Sequence, residues 1–229
     1  MKSAALITAA GLSSRFNHSI SRQKKELAQL NGKSVLQYGL EAFLAVEGIE
    51  CILITYPVND GGKTVSHLEN LVSILSADIP IIWVCGGPTR QKSVHAGLEA
   101  LCEYDPEMVL IHDGARPWIT PALIRETLHR AMEIGGAAPG LTTRSALKGI
   151  DDQGLITTHH RRSHVIEIQT PQIFRFPEIL KAHRLAKRID RQYIDDTEVF
   201  TDWGGQVSVV PGDPANIKIT YLHDLERIQ

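Results

Sequence analysis

Apolar positions along this chain alternate between two spacings. Residues 4–9, 49–56, 80–84 and 108–112 are continuous apolar runs, and short unbroken runs of this kind read as strands buried on both faces. Between them the spacing is helical. In 34–46, Val35, Leu36, Leu40, Phe43 and Leu44 fall on one face. Residues 67–76 read as a helix after the Gly61-Gly62 break, and 90–101 turn Val94, Leu98 and Leu101 inward. Thr120 and Pro121 have the residue types of an N-cap and first helical position, for a helix running to about Glu133.

Strand–helix alternation with buried strands predicts a mostly parallel, twisted α/β sheet with helices on both faces. The pattern changes at 141–169. Short alternating pieces at 146–150 and 155–158 flank the turn Asp151-Asp152-Gln153-Gly154 and predict a β-hairpin arm protruding from the sheet. Helices are expected again at 177–188 and near 196–203, late strands at 206–210 and 216–220, and a closing helix at 221–228. The sequence contains no internal repeat, linker or low-complexity tract. Its 229 residues suit one large domain, 1–229.

Composition narrows the partners. Hydrophobic residues make up 43% and charged residues 22%, with a formal net charge of −2. A balance this close to neutral argues against general nucleic-acid binding but allows a local basic pocket. The three cysteines share no metal or redox spacing, so a reduced, cytoplasmic protein is expected. No apolar run approaches the ~18 residues of a membrane span. The 4–10 run is barely long enough for a signal peptide and gives way at once to Gly-Leu-Ser-Ser-Arg, so it reads as a strand.

Ligands of such sheets bind beyond the carboxyl ends of the strands, which directs attention to four loops. Familiar motifs fail there. Gly32-Lys33-Ser34 lacks the P-loop glycine five positions earlier, where Leu27 stands, and Gly-x-Gly-x-x-Gly and Gly-x-Ser-x-Gly are absent. The ten histidines have no metal-ligand spacing. The loop after the first strand combines small residues with Arg15, Lys24 and Lys25, which suits close approach to a polyphosphate. The stretch Gly86-Gly87-Pro88-Thr89-Arg90-Gln91-Lys92-Ser93 would let a flat base lie on bare backbone, with Ser93 at its edge. Asp113, directly after a buried strand, suits a divalent cation or a ribose hydroxyl. Lys218 in mid-strand suggests a cleft. Singly, each reads about as well as a solvated loop, an ordinary helix start or an edge strand.

Together, in order, these segments resemble the 2-C-methyl-D-erythritol 4-phosphate cytidylyltransferases and the closely similar ribitol-5-phosphate cytidylyltransferases. The matching stretches are Ala9-Ala10-Gly11-x-x-x-Arg15, a lysine before the Leu30-Asn31-Gly32-Lys33-Ser34 segment, Gly86-Gly87-x-x-Arg90-x-x-Ser93, His112-Asp113-Gly114-Ala115-Arg116-Pro117, Gln169-Thr170-Pro171-Gln172, Asp195-Asp196 and Asn216-Ile217-Lys218-Ile219-Thr220. The lysine is taken as Lys25 over Lys24, because the register downstream is unbroken.

The resemblance implies a Rossmann-like fold and transfer of CMP from CTP to methylerythritol phosphate, with release of pyrophosphate, in the non-mevalonate route to isoprenoid precursors. The alternatives are ribitol 5-phosphate or another polyol phosphate as acceptor, or a homologue that binds nucleotide without transferring it. It implies that Arg15 and Lys25 hold the triphosphate, and that Lys218, Arg162 and Arg116 serve the acceptor. Ala9, Ala10, Gly11 and Leu12 would contact the nucleotide, Gly86, Arg90 and Ser93 would surround the cytosine, and Asp113 would lie at the ribose and a magnesium ion. It also implies a homodimer that exchanges its arms, so that Arg162 serves the partner's site. The chain departs from the family in having Ser145-Ala146 where Asp-Thr is usual and no tryptophan after Arg162. The loop between Arg15 and Lys25 is longer than usual, and the usual proline after the Lys218 stretch is missing.

Overall fold

The structure is a computed structural model that describes residues 2–11, 13, 16, 24–58, 62–75 and 78–226, with Lys63 and Glu226 in backbone only. In chain order the elements are β1 (Ser3–Thr8), β2 (Gln29–Leu30), β3 (Lys33–Ser34), α1 (Val35–Leu44), β4 (Ile49–Tyr56), α2 (Lys63–Leu75), β5 (Ile81–Cys85), α3 (Arg90–Ala100), β6 (Met108–Asp113) and α4 (Pro121–Ile134). They continue with β7 (Gly136–Thr142), β8 (Lys148–Ile150), β9 (Ile156–His159), β10 (Ile166–Ile168), β11 (Gln172–Arg175), α5 (Phe176–Arg188), α6 (Asp196–Asp202), β12 (Ser208–Pro211) and α7 (His223–Glu226).

The main sheet runs β10-β7-β11-β6-β1-β4-β5, with β12 also paired to β7. Strands β5, β4, β1 and β6 are mutually parallel, and β11 is antiparallel to both β6 and β7. The side-chain period of two along β1 sends Ala5 and Ile7 to one face, and Ala4 and Leu6 to the other. The first face packs Leu36, Leu40 and Phe43 of α1, Leu68 of α2 and Ile124 of α4. The second packs Val94 and Leu98 of α3, Ile179 and Ala182 of α5, and Val199 of α6. Helix caps follow the expected residue types: Ser34, Thr89, Thr120 and Asp195 each accept a backbone N–H of the first turn.

The chain leaves β1 toward β4 and β5, and later returns to lay β6 on β1's other side. The carboxyl ends of β1 and β6 therefore form the point where strand order reverses, the usual ligand crevice of an open α/β sheet. Thr8 and Asp113 are register partners there, and the Gly114 N–H donates to the Thr8 carbonyl at 3.0 Å.

Several boundaries differ from the sequence reading. β6 extends one residue further, so Asp113 closes the strand. α2 begins at Lys63, four residues early, and the 76 end of that expected helix lies outside the described residues. β7, β10 and β11 were not anticipated. Residues 216–220 are not a strand. Their backbone is tied down singly, with the Asn216 carbonyl accepting from the Arg116 guanidinium at 2.7 Å and the Ile219 N–H donating to the Ala115 carbonyl at 2.8 Å. Backbone groups already engaged by side chains and a loop have no ladder to join. The closing helix is a single described turn, and 227–228 lie outside the described residues. The expected hairpin is present as the antiparallel pair β8–β9, separate from the main sheet.

Candidate active site

The site is centred on the Asp113 carboxylate. Its Oδ1 lies 3.1 Å from Arg90 Nε, and its Oδ2 lies 2.8 Å from Lys218 Nζ and 3.6 Å from Arg116 Nε. Burial alone would raise its pKa, but Arg90, Lys218 and Arg116 hold it well below the usual carboxylate range. Arg90 also pairs with Asp196, Nη1 to Oδ2 at 2.7 Å. Three cations thus face two carboxylates, and the excess positive charge suits an anionic ligand.

His112 fixes the backbone around Asp113. The Asp113 N–H donates to Thr170 Oγ1 at 3.1 Å, Thr170 Oγ1 lies 3.0 Å from His112 Nδ1, and His112 Nε2 lies 3.2 Å from the Arg116 carbonyl. A tautomer assigned from these partners has the threonine hydroxyl donating to Nδ1, and Nε2–H donating to the carbonyl. Full burial pushes the His112 pKa down to about 4, so the ring is neutral near pH 7. The amide of Asn216 donates to the Thr170 carbonyl at 2.9 Å, and Gln169 Nε2 donates to the Asp213 carbonyl at 2.8 Å. These bonds join the Lys218 segment to the segment carrying Thr170.

The first loop reaches the same place. Lys25 Nζ donates to the Ile219 carbonyl at 3.2 Å, beside Lys218. Lys24 points back along its own loop and donates to the Gly11 carbonyl at 3.0 Å. Glu26 is buried, which raises its pKa, and its carboxylate accepts from Ser13 Oγ at 3.4 Å. A Cβ on Gly86 would stand 2.4 Å from Ala10 Cβ and 2.9 Å from Ser93 Oγ, so the β1 and β5 loops touch only because residue 86 is glycine. The Ser93 hydroxyl lies 2.9 Å from the Thr89 carbonyl and 3.1 Å from the Gly87 N–H, so it braces the glycine turn.

The structure therefore gathers Arg90, Asp113, Arg116 and Lys218 into one cluster, with Lys25 beside it, and brings Ala10 against Gly86. Leu12 and Arg15 lie outside the described residues. Ala9 is buried in the core, while Gly11 is exposed. Arg162 sits on the arm, donating to the Arg144 carbonyl at 3.3 Å, and among the described residues no hydrogen bond or ion pair joins it to the cluster. Asp196, Thr170 and Asn216 were quoted above only as parts of matching stretches. Their signal was position inside those stretches, and their partners could not be read from it.

Excess positive charge at the switch point of a parallel sheet defines an α/β protein whose site suits an anionic ligand. Residues 3–229 match the family model described as 2-C-methyl-D-erythritol 4-phosphate cytidylyltransferase, and the chain belongs to that family. The chain is similar to the Clostridium botulinum (strain Loch Maree / Type A3) protein of that name, 36% identical over 227 residues, covering 98% of this chain and 94% of the relative. It is equally similar, at 36% over 227 residues, to the bifunctional enzyme IspD/IspF of Rhodopseudomonas palustris (strain HaA2). That match covers 99% of this chain but only 54% of the relative, so the chain spans about half of that protein's length. Among solved structures, the 4-diphosphocytidyl-2C-methyl-D-erythritol synthase from Anaerococcus prevotii DSM 20548 matches with a TM-score of 0.84 at 28% identity, over 99% of this chain and 93% of that one.

Proposed function

We propose that this chain transfers CMP from CTP to 2-C-methyl-D-erythritol 4-phosphate and releases pyrophosphate, a step toward isoprenoid precursors by the non-mevalonate route. Together with membership of the family, the observation that carries this reading is the cationic cluster at Asp113. A phosphate oxygen of the acceptor attacks the α-phosphorus of CTP. The bond from α-phosphorus to the bridging oxygen breaks, and its electron pair leaves with pyrophosphate. The nucleophile is already an anion, so no serine, cysteine or general base is needed. The protein's work is to bring two anions together and to spread the charge that builds at phosphorus. Arg116, Lys218 and Lys25 suit that work, with Arg90 assigned to the cytosine and Arg15 to the triphosphate by the family pattern.

Magnesium belongs to the same reading. Asp113 is a single carboxylate, and among the described residues no group of three or more His, Cys, Asp or Glu side chains could hold a metal. This donor set fits an ion that arrives on the triphosphate, since magnesium is commonly held by one or two carboxylates plus substrate phosphates. When bound, the ion would offset phosphate charge, and Asp113 is the carboxylate that would hold it.

The reading also includes a homodimer. Ile150, Leu155 and Ile156 on the β8–β9 arm are 65%, 61% and 60% exposed, an apolar surface suited to a second copy whose site would receive Arg162. A cytoplasmic location is supported by three free cysteines. No helix of the described residues is long and apolar enough to cross a membrane.

The test is pyrophosphate release with CTP, magnesium and each acceptor. Turnover is expected with methylerythritol phosphate. Ala146 lacks the threonine hydroxyl usual in the family at the acceptor, so ribitol 5-phosphate is assayed as a second acceptor. Turnover with that compound alone would replace the proposed acceptor, and CTP binding without turnover on any polyol phosphate would mark a nucleotide-binding homologue.

A further inference from the structure

Behind the Asp113 cluster lies a second, fully buried pair. His183 on α5 and Asp196 at the start of α6 are each 1% exposed, and His183 Nε2 stands 3.1 Å from Asp196 Oδ1. The other oxygen of Asp196 faces Arg90 Nη1 at 2.7 Å, and Arg90 Nε reaches Asp113 Oδ1 at 3.1 Å. The contacts run in one line from the α5 core to the site: His183, Asp196, Arg90, Asp113.

Each link is needed to aim the next. Arg90 is long, and one carboxylate would leave its guanidinium free to swing; two carboxylates on different atoms fix its plane. Asp196 can do this only if its own orientation is fixed. Its backbone is anchored by its N–H donating to Gln172 Oε1 at 3.0 Å. Its carboxylate needs a second donor on the side away from Arg90, and His183 is that donor. His183 Nδ1 is buried with no hydrogen-bond partner among the described residues, which assigns the proton to Nε2, facing Asp196.

We infer that His183 is a positioning residue for nucleotide binding, acting through Asp196 to aim Arg90 at the Asp113 site. The inference rests on the proposed function only in taking CTP as the ligand. His183→Leu keeps much of the volume and removes the donor. Asp196 then loses its outer restraint, Arg90 is no longer held in one plane, and CTP binds about tenfold more weakly. His183→Gln places an amide N–H near the Nε2 position and recovers most of the affinity. In an Arg90→Ala background, His183→Leu adds less than about a further twofold, because the residue it acts through is already gone.

The measurement is calorimetric CTP affinity of wild type, the single variants and the Arg90→Ala pair, with a thermal melt of each. Unchanged affinity in His183→Leu, no recovery in His183→Gln, or a full additional loss on top of Arg90→Ala would each overturn the inference. If the leucine variant does not fold, His183→Asn, too short to span to Asp196, carries the same expectation and the same refutation. CTP binding by the wild-type chain is a separate readout: its failure sinks the functional reading, whereas wild-type binding matched by all His183 variants sinks only this one.

Discussion

Lys24 and Lys25 differ by one position and point to different places. Lys24 Nζ reaches back to the Gly11 carbonyl, whereas Lys25 Nζ reaches the Ile219 carbonyl, beside the Lys218 that pairs with Asp113. Lys25→Ala is therefore expected to cut kcat by roughly a hundredfold, the scale of losing one preorganised charge at a transition state. Lys24→Ala should cost only severalfold. Steady-state kinetics with CTP check this, and the reverse ranking would assign the triphosphate contact to Lys24. His112 gives a prediction of another kind. Its folded pKa is pushed to about 4 by burial, against roughly 6.5 in an unfolded chain. Between those values the unfolded state binds the proton and the folded state does not, so stability rises with pH. The contribution is fully present above about pH 6.5 and is lost as pH falls toward 4, by on the order of 3 kcal/mol. Urea unfolding across this window should slope more steeply for wild type than for His112→Gln, whose side chain cannot titrate; parallel curves would refute the assignment.

Elements bring these residues together through close approaches that tolerate no extra atom. At Gly86 an added Cβ would sit 2.4 Å from Ala10 Cβ, so Gly86→Ala must push the β1 and β5 loops apart. A cost of about 1–3 kcal/mol is expected, read as a lowered melting temperature together with a raised KM for CTP. A raised KM without the melting change would place the effect on the nucleotide rather than on loop packing. The strand-end loops were legible because β1, β4 and β6 are largely apolar runs whose ends are marked by small residues after β1, by Pro57 after β4 and by Asp113-Gly114 at β6. β7 was not legible. Its sequence Gly136-Ala137-Ala138-Pro139-Gly140 has little strand preference. It pairs because its small residues admit close neighbours: a Cβ on Gly140 would meet Ile166 at 2.6 Å. The 216–220 segment misled in the opposite sense. Its alternation is strand-like, yet Arg116 and Gln169 take the Asn216 carbonyl, and contacts of that kind leave no mark on local pattern. Arg90 and Asp113 could be proposed from the loops at strand ends, and Lys218 as a lysine within an expected strand, whereas His183 was one histidine among ten with no motif around it.

At the scale of the whole molecule, the arm poses a geometric question that a single subunit does not answer. Arg162, assigned to the acceptor by the family pattern, lies on the arm and bonds to Arg144, while Asp113, Arg116 and Lys218 gather at the sheet. The proposed exchange of arms in a two-fold dimer would reconcile the two, because each subunit would then donate Arg162 to its partner's cluster. The consequence is complementation. Arg162→Ala and Lys25→Ala subunits should each be nearly inactive alone. In a mixed dimer, the site built on the Arg162→Ala subunit keeps its own Lys25 and receives an intact Arg162 from the partner, whereas the other site carries both defects. Random reassortment of equal amounts makes about half the dimers mixed, each with one intact site of two, so roughly a quarter of wild-type activity should return. If Arg162 serves its own subunit, every site keeps one defect and mixing restores nothing. Ile156→Asp on the exposed face of the arm offers the matching physical test. It should convert the proposed dimer to monomers in sedimentation velocity, and complementation should vanish with it.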